Sequence, residues 1–252
     1  MPDGGVAGSW ARIVAVLEAH APASARHING PADAGTLDRL RSEIAVPLPP
    51  DLAEWLSLAD GAEQSTEVIP EFTPLGAEGI IAETRMRNQA HGDSTGASTT
   101  VRHPAGTEGG GLPGDHWLLI PVGRDDDGSS LVIDLRDGDL HGCLMKWWGR
   151  QFRVVSRWPG IAVMLAEIAG ALEHGRPEGR EPTTEEIAHC TRTGHLAVFT
   201  ASGTLAWHDY GAEQAKIRDF EIMAWARSQG YPIVRGRIPH SVVQAWERRE
   251  ER

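Results

Sequence analysis

Two arginines flank a single glycine at Arg235-Gly236-Arg237, inside an ordered set: Ile222, Trp225, Ala226 and Arg227 before Gly230, then Ile238-Pro239, then Val242, Val243, Ala245 and Trp246. Guanidinium groups on either side of a residue without a Cβ can lie along a narrow A·T-rich minor groove, where negative potential concentrates and the backbone must come close. Pro239 suits the first turn of a following helix, whose N–H groups, or the Ser241 hydroxyl, can meet a phosphate. Arg227 and Arg248, with Lys216 and Arg249, are candidates for phosphate contacts, each equally readable as a solvated helix charge. The DNA-binding candidates are therefore Arg235, Gly236, Arg237, Arg227, Ser241 and Arg248. Trp225, Val242, Val243 and Trp246 read as a small core clamping two helices together.

Other chemistries are weaker. Asp125, Asp126 and Asp127, with Asp134, Asp137 and Asp139, could gather a cation. Counting from Asp125, however, Ser130 stands where a calcium loop needs glycine and Arg136 where it needs the bidentate acid, so the run reads as a solvated turn. Gly109-Gly110-Gly111 lacks the Gly-Lys-Ser/Thr of a phosphate cradle and reads as a flexible loop. The eleven histidines are scattered, neither Gly-x-Ser-x-Gly nor His-Glu-x-x-His occurs, and Cys143 has His141 two residues away without a third group. His189-Cys190 with His195 is the nearest approach to a zinc set, and ordinary packing is the stronger reading. No catalytic residue, metal or cofactor is expected, and the chain reads as a non-enzymatic binding protein. Trp147-Trp148, beside Lys146 and Arg150, fits an exposed aromatic-cationic patch or the core equally well.

The elements that must carry these residues follow from length and pattern. At 252 residues and 40% hydrophobic composition the chain can bury an ordinary core. No apolar run is long enough for a membrane span and the N-terminus lacks a signal-peptide pattern, so the cytoplasm is expected, with nucleoid association if the tail binds DNA. Cys143 and Cys190 are expected reduced and buried. Ser9 is placed as the cap of a helix with an apolar face of Trp10, Ile13, Val14 and Leu17, stopped by Pro22. Thr36 is placed as the cap of a second, along Leu37, Leu40 and Ile44. Pro49-Pro50 opens a third, with Leu52, Trp55 and Leu56 on one face, ending at Gly61. Residues 92–114 read as a long mobile loop. Two strands, 117–122 and 131–135, and a third over 140–145 form an antiparallel meander, followed by a helix along Ile161, Leu165, Ile168 and Leu172 that Gly175 and Pro177 terminate. A hairpin flanks Ala201-Ser202-Gly203. The expected class is α+β: a body over 1–175, a linker with a small hairpin over 176–211, and a two-helix module over 212–252.

The order of body elements resembles the SUKH superfamily, the Smi/Knr-type α+β domain, over roughly residues 9–175. The resemblance is carried by Leu48-Pro49, Leu52, Trp55 and Leu56, the Ile120-Pro121-Val122-Gly123 strand, the Asp125 to Gly128 turn, the Ile133-Asp134 strand and the helix ending at Leu172. It implies an antiparallel sheet flanked by helices, and a bacterial binding domain without known catalytic residues that neutralises toxins or binds other proteins. The tail is similar to the C-terminal DNA-binding domain of the actinobacterial nucleoid-bridging silencer, which implies AT-hook-like minor-groove binding. It departs from that pattern in a loop one residue shorter before Arg235 and in the apolar pair Ile233-Val234.

Charge qualifies the DNA reading. The net charge is -11, with eight Lys/Arg against seven Asp/Glu from residue 205 onward, which leaves -12 on the first 204 residues. An acidic body repels DNA, so the tail must act roughly a Debye length, about 8 Å, clear of it, and a salt slope of roughly -0.9 per phosphate leaves a single tail weak. Several tails on one assembly would be needed, and a homo-oligomer is a candidate. The reading is a SUKH-like body for a protein partner, a toxin among the candidates, coupled to weak binding of A·T-rich double-stranded DNA, with no membrane role. The alternative is an immunity or protein-interaction protein whose tail does not bind DNA.

Overall fold

The computed structural model describes residues 5–44, 46–63, 65–92, 104–106, 116–148, 153–183, 186–187, 189–191, 194–210, 225–226 and 229. Helix α1 is Gly5–His20, α2 Pro22–Arg26, α3 Ala34–Glu43 and α4 Pro50–Leu58. Strand β1, Thr73–Pro74, leads into α5, Ala77–Gly92. A 3₁₀ turn, His116–Leu118, then enters the meander β2 Leu119–Arg124, β3 Ser130–Asp134, β4 Cys143–Trp148 and β5 Arg153–Trp158. Helix α6, Ile161–Glu173, is followed by β6 Arg176–Pro177, β7 His195–Phe199 and β8 Leu205–Asp209. Five strands pair antiparallel in the order β1-β2-β3-β4-β5, and a second sheet runs β6-β7-β8. The architecture is α+β.

Local physics places most of the helices as expected, with two shifted starts. Helix α1 begins at Gly5, so Ser9 lies inside it and is buried rather than capping. The cap of α3 is Asp33, whose Oδ1 accepts the Thr36 N–H at 2.9 Å while the Thr36 hydroxyl donates to Oδ2 at 2.7 Å, so Thr36 completes the cap from the first turn. Pro50 opens α4, which buries Leu52, Trp55 and Leu56. The third strand lies three residues later than its expected position, because residues 138–142 are spent on turns closed by His141 N–H to Gly138 O and Gly142 N–H to Asp134 O. Most of the expected 92–114 loop, with its triple glycine, lies outside the described residues.

Strand β3, and with it most of β2, is buried on both faces, which explains why β3 reads as a continuous apolar run rather than an alternation. Ile120, Val122, Leu131, Ile133, Leu144 and Trp158 face the main core with Ile13, Leu17, Leu52, Leu56, Leu165 and Ile168. Leu119, Val132, Cys143, Met145 and Trp147 form a smaller cluster, consistent with the period-2 alternation of side chains across a sheet. Trp147 is therefore core, not an exposed patch, and Lys146 beside it is also buried. At Pro121 the β2–β3 register shifts by one residue, the bulge expected where proline has no N–H to give the ladder. Helices α1 and α6 pack together, tied from the middle of α1 to the end of α6 by a two-pronged pair between Arg12 and Glu173 at 2.5 and 2.7 Å.

The stretch expected as a linker carries the expected hairpin, and that hairpin packs on the body. Ala197 and Phe199 join the main core, His20 stacks on Phe199, the Ala23 N–H donates to Gly203 O, and the Leu205 N–H donates to Ser24 Oγ. Gly175 is required here, since a Cβ would stand 2.6 Å from the Phe199 ring. Neither cysteine is in a disulfide; Cys143 is buried and Cys190 only half-buried.

One ion pair is fully enclosed. Arg136 grips Asp134 with Nε to Oδ1 at 2.9 Å and Nη2 to Oδ2 at 2.7 Å, and the Gly106 and Arg136 N–H groups complete the carboxylate. Both side chains are at most 2% exposed. Removing one partner strands a charge in low dielectric, so Asp134→Ala is expected to lower unfolding free energy by about 3–5 kcal/mol in denaturant titration. A loss under 1 kcal/mol would show that the pair is not enclosed as described.

Candidate functional site

The site begins where two backbone segments cross. Gly61 has φ +73°, and a Cβ there would stand 2.3 Å from Gly76 N; a Cβ on Gly76 would stand 2.4 Å from Asp60 O. Only a glycine pair permits this approach. It carries the Asp60 side chain to the start of α5, where Oδ1 accepts the Ala77 N–H at 2.6 Å. A carboxylate at a helix N-terminus satisfies an orphan donor and opposes the helix dipole.

Beside this crossing opens a cleft of about 500 Å³ between β1, the first turn of α5 and the β2–β3 turn. Asp60, Glu78, Asp125 and Asp126 line it, with Arg124, Asn29 and the apolar Pro74 and Leu75. Glu78 also pairs with Arg39 of α3. The aspartate turn is only partly the solvated one expected from sequence. Asp126 and Asp127 are exposed, but the Asp125 side chain is 8% exposed, accepting the Ser129 N–H at 2.6 Å and lying 3.1 Å from Lys146 Nζ. Lys146 reaches Glu71 as well, at 3.4 Å, and sits over the Phe72 ring.

One buried ammonium thus faces a larger set of carboxylates. The Glu67 carboxyl is pushed above its usual range, chiefly by burial, then by the charges of Asp126, Glu71 and Asp125, with Lys146 offsetting only part. Trp207 of β8 donates to the Glu67 carbonyl at 2.8 Å, so the hairpin and the acidic end are one packed unit. The arrangement is a negative, partly apolar recess with fixed backbone, suited to cationic groups on a partner's surface and offering no nucleophile–base pair.

The residues singled out for DNA binding, Arg227, Arg235, Gly236, Arg237, Ser241 and Arg248, lie outside the described residues. In that region Trp225 and Ala226 are helical, within the expected helix, and Ala226 is buried. Among the described residues no group of three or more His, Cys, Asp or Glu side chains is placed to hold a metal. His189 stacks on His174 with ring centroids 3.5 Å apart, and burial raises the Cys190 thiol above its usual range. No helix among the described residues is long and apolar enough to cross a membrane. Asp60, Glu78 and the burial of Lys146 were not anticipated. The Asp60-Gly61 and Leu75-Gly76 steps were the signals available, but nothing local says that the two meet.

Residues 31–167 match the model of the SMI1 / KNR4 family (SUKH-1). This span holds α3, α4, β1 and α5, the whole meander and the first half of α6, and with them every residue that lines the cleft except Asn29. Comparison with curated proteins gives no match.

The raised Glu67 carboxyl has a definite sign. The folded state holds this proton more tightly than the unfolded chain, so Glu67 contributes stability that is fully present below the ordinary value of 4.5. That contribution is lost as pH rises through the higher folded value. Glu67→Gln is expected to raise Tm at pH 7.5 relative to wild type and to leave it unchanged near pH 4. Parallel Tm–pH curves for the two proteins would show that Glu67 does not titrate in this environment.

Proposed function

The chain belongs to the SMI1 / KNR4 family (SUKH-1), and from that premise we propose that it is a cytoplasmic, non-enzymatic binding protein whose acidic cleft takes a basic protein partner. The observation that carries this reading is the set of carboxylates Asp60, Glu78, Asp125 and Asp126 around one recess. Charge of one sign on a fixed surface steers an oppositely charged partner and sets register, while Pro74 and Leu75 offer the apolar contact that gives affinity. An immunity role, in which the partner is a basic toxin held in an inactive complex, is the specific form of the proposal. It needs no catalytic group on this chain.

The test is co-expression of the chain with the products of adjacent open reading frames, followed by size-exclusion chromatography. Wild type is expected to carry a basic polypeptide at fixed stoichiometry, and Glu78→Lys/Asp126→Lys to weaken that complex at least tenfold, chiefly through slower association at low salt. A complex that forms equally with the charge-reversed variant would overturn the cleft as its site.

A second reading rests on Arg235-Gly236-Arg237, in which the C-terminal segment binds the A·T-rich minor groove and places the partner complex on DNA. Fluorescence anisotropy with A·T-rich and G·C-rich duplexes at two salt concentrations tests it. Wild type is expected to prefer the A·T-rich duplex, with Arg235→Ala/Arg237→Ala at least tenfold weaker; equal binding by the two proteins would end the reading.

A further inference from the structure

The second face of the meander holds an arginine whose environment is incomplete. Arg87 of α5 is 4% exposed, with its guanidinium carbon 4.0 Å from the Trp147 ring centroid. Its Nε lies 3.4 Å from Glu83 Oε1, an ion pair without hydrogen-bond geometry. None of the three guanidinium nitrogens has an acceptor among the described residues, and the buried Thr84 hydroxyl, three residues earlier on α5, has no partner there either. Glu83 is itself shared, since Ser130 Oγ donates to it at 3.3 Å. Burial lowers the Arg87 pKa to about 10, with Glu83 opposing, so the group is still a cation at neutral pH.

A buried cation with up to five N–H donors and, among the described residues, only the long Glu83 ion pair to meet them is costly, since each unsatisfied polar group costs roughly 1–3 kcal/mol and charged ones more. The cost is removed by a ligand that brings two oxygens to one edge of the fork, as carboxylate and phosphate do. The cation–π contact with Trp147 already holds the guanidinium in place, so little side-chain freedom remains to be lost on binding. We propose that Arg87, held on Trp147 and joined by the Thr84 hydroxyl, is the anchor of an oxyanion site between α5 and the sheet, separate from the acidic cleft. The ligand is a carboxylate or phosphate group, taken in by local opening of α5 and enclosed when bound.

Thermal unfolding of the full chain in millimolar sodium phosphate or sodium acetate, each against sodium chloride at equal ionic strength, tests the site. Low concentration matters because phosphate at high concentration stabilises proteins non-specifically. At about ten times Kd, wild type is expected to gain about 3 °C in Tm over chloride. Arg87→Met should gain nothing, and Arg87→Lys, which keeps the charge without the fork, less than half. A response to acetate identifies a carboxylate ligand and one confined to phosphate a phosphoryl group, either supporting the site. Should Arg87→Met not fold, the wild-type Arg87 Nε–Hε resonance, assigned by its absence in Arg87→Lys, is expected to shift on phosphate or acetate titration. Absence of any gain over chloride, equal gains in wild type and Arg87→Lys, or an unmoved resonance would overturn the proposal.

Discussion

The crossing of Asp60-Gly61 over Leu75-Gly76 is the contact on which the rest of this molecule depends. It joins the end of the α4 layer to the start of α5 at a separation that no side chain would tolerate. Once the strands of chain are that close, Asp60 caps α5, the Ala62 N–H reaches Pro74 O, and β1 is held against β2. The direction of α5 follows, and with it the wall of the acidic cleft at one end and the placing of Arg87 over Trp147 further along. A backbone that is strained or crowded at one point is kept there because many weaker contacts over-determine it.

Charge inside this fold is handled in three different ways. Asp134 and Arg136 satisfy each other fully and are closed off, so the pair acts as a fixed polar staple beneath the turn that follows β3. Lys146 is balanced by more carboxylates than it can neutralise, and the excess negative charge is displayed toward the cleft and borne partly by Glu67. Arg87 has a ring to stack on but no good acceptor among the described residues. In low dielectric each arrangement is worth more than its counterpart in water, and an incomplete one is correspondingly unfavourable. At this end of the fold Lys146 is buried while Glu78 and Asp126 stay exposed along the recess.

Legibility in the sequence followed the range of the interactions. The Pro50 start of α4, the face of Leu52, Trp55 and Leu56, the 161–172 stripe of α6 and the Ala201-Ser202-Gly203 hairpin all rest on contacts within a few residues, and all were readable. Helix α5 was not: its polar and apolar residues give little amphipathic contrast, because Glu83 and Arg87 are carried inward with Ile80 and Ile81 while Ala82 and Met86 stand exposed. The β5 strand was missed as well, since its Arg153 to Trp158 run mixes charged and apolar residues. The cleft shared that fate, as its carboxylates come from positions 60, 78, 125 and 126.

By itself the sequence determined most of the elements and their order, though neither α5 nor β5, together with the acidic excess of the body and the family to which the order belongs. Those properties are set by propensity, periodicity and composition, each summed along the chain. Tertiary structure alone decided that Asp125 is buried against Lys146 while Asp126 is not, that Trp147 is core, and that Asp60 caps a helix beginning seventeen residues later. Those outcomes depend on which distant backbones meet and how closely. That distance is decided by packing around two glycines, and no local pattern encodes it.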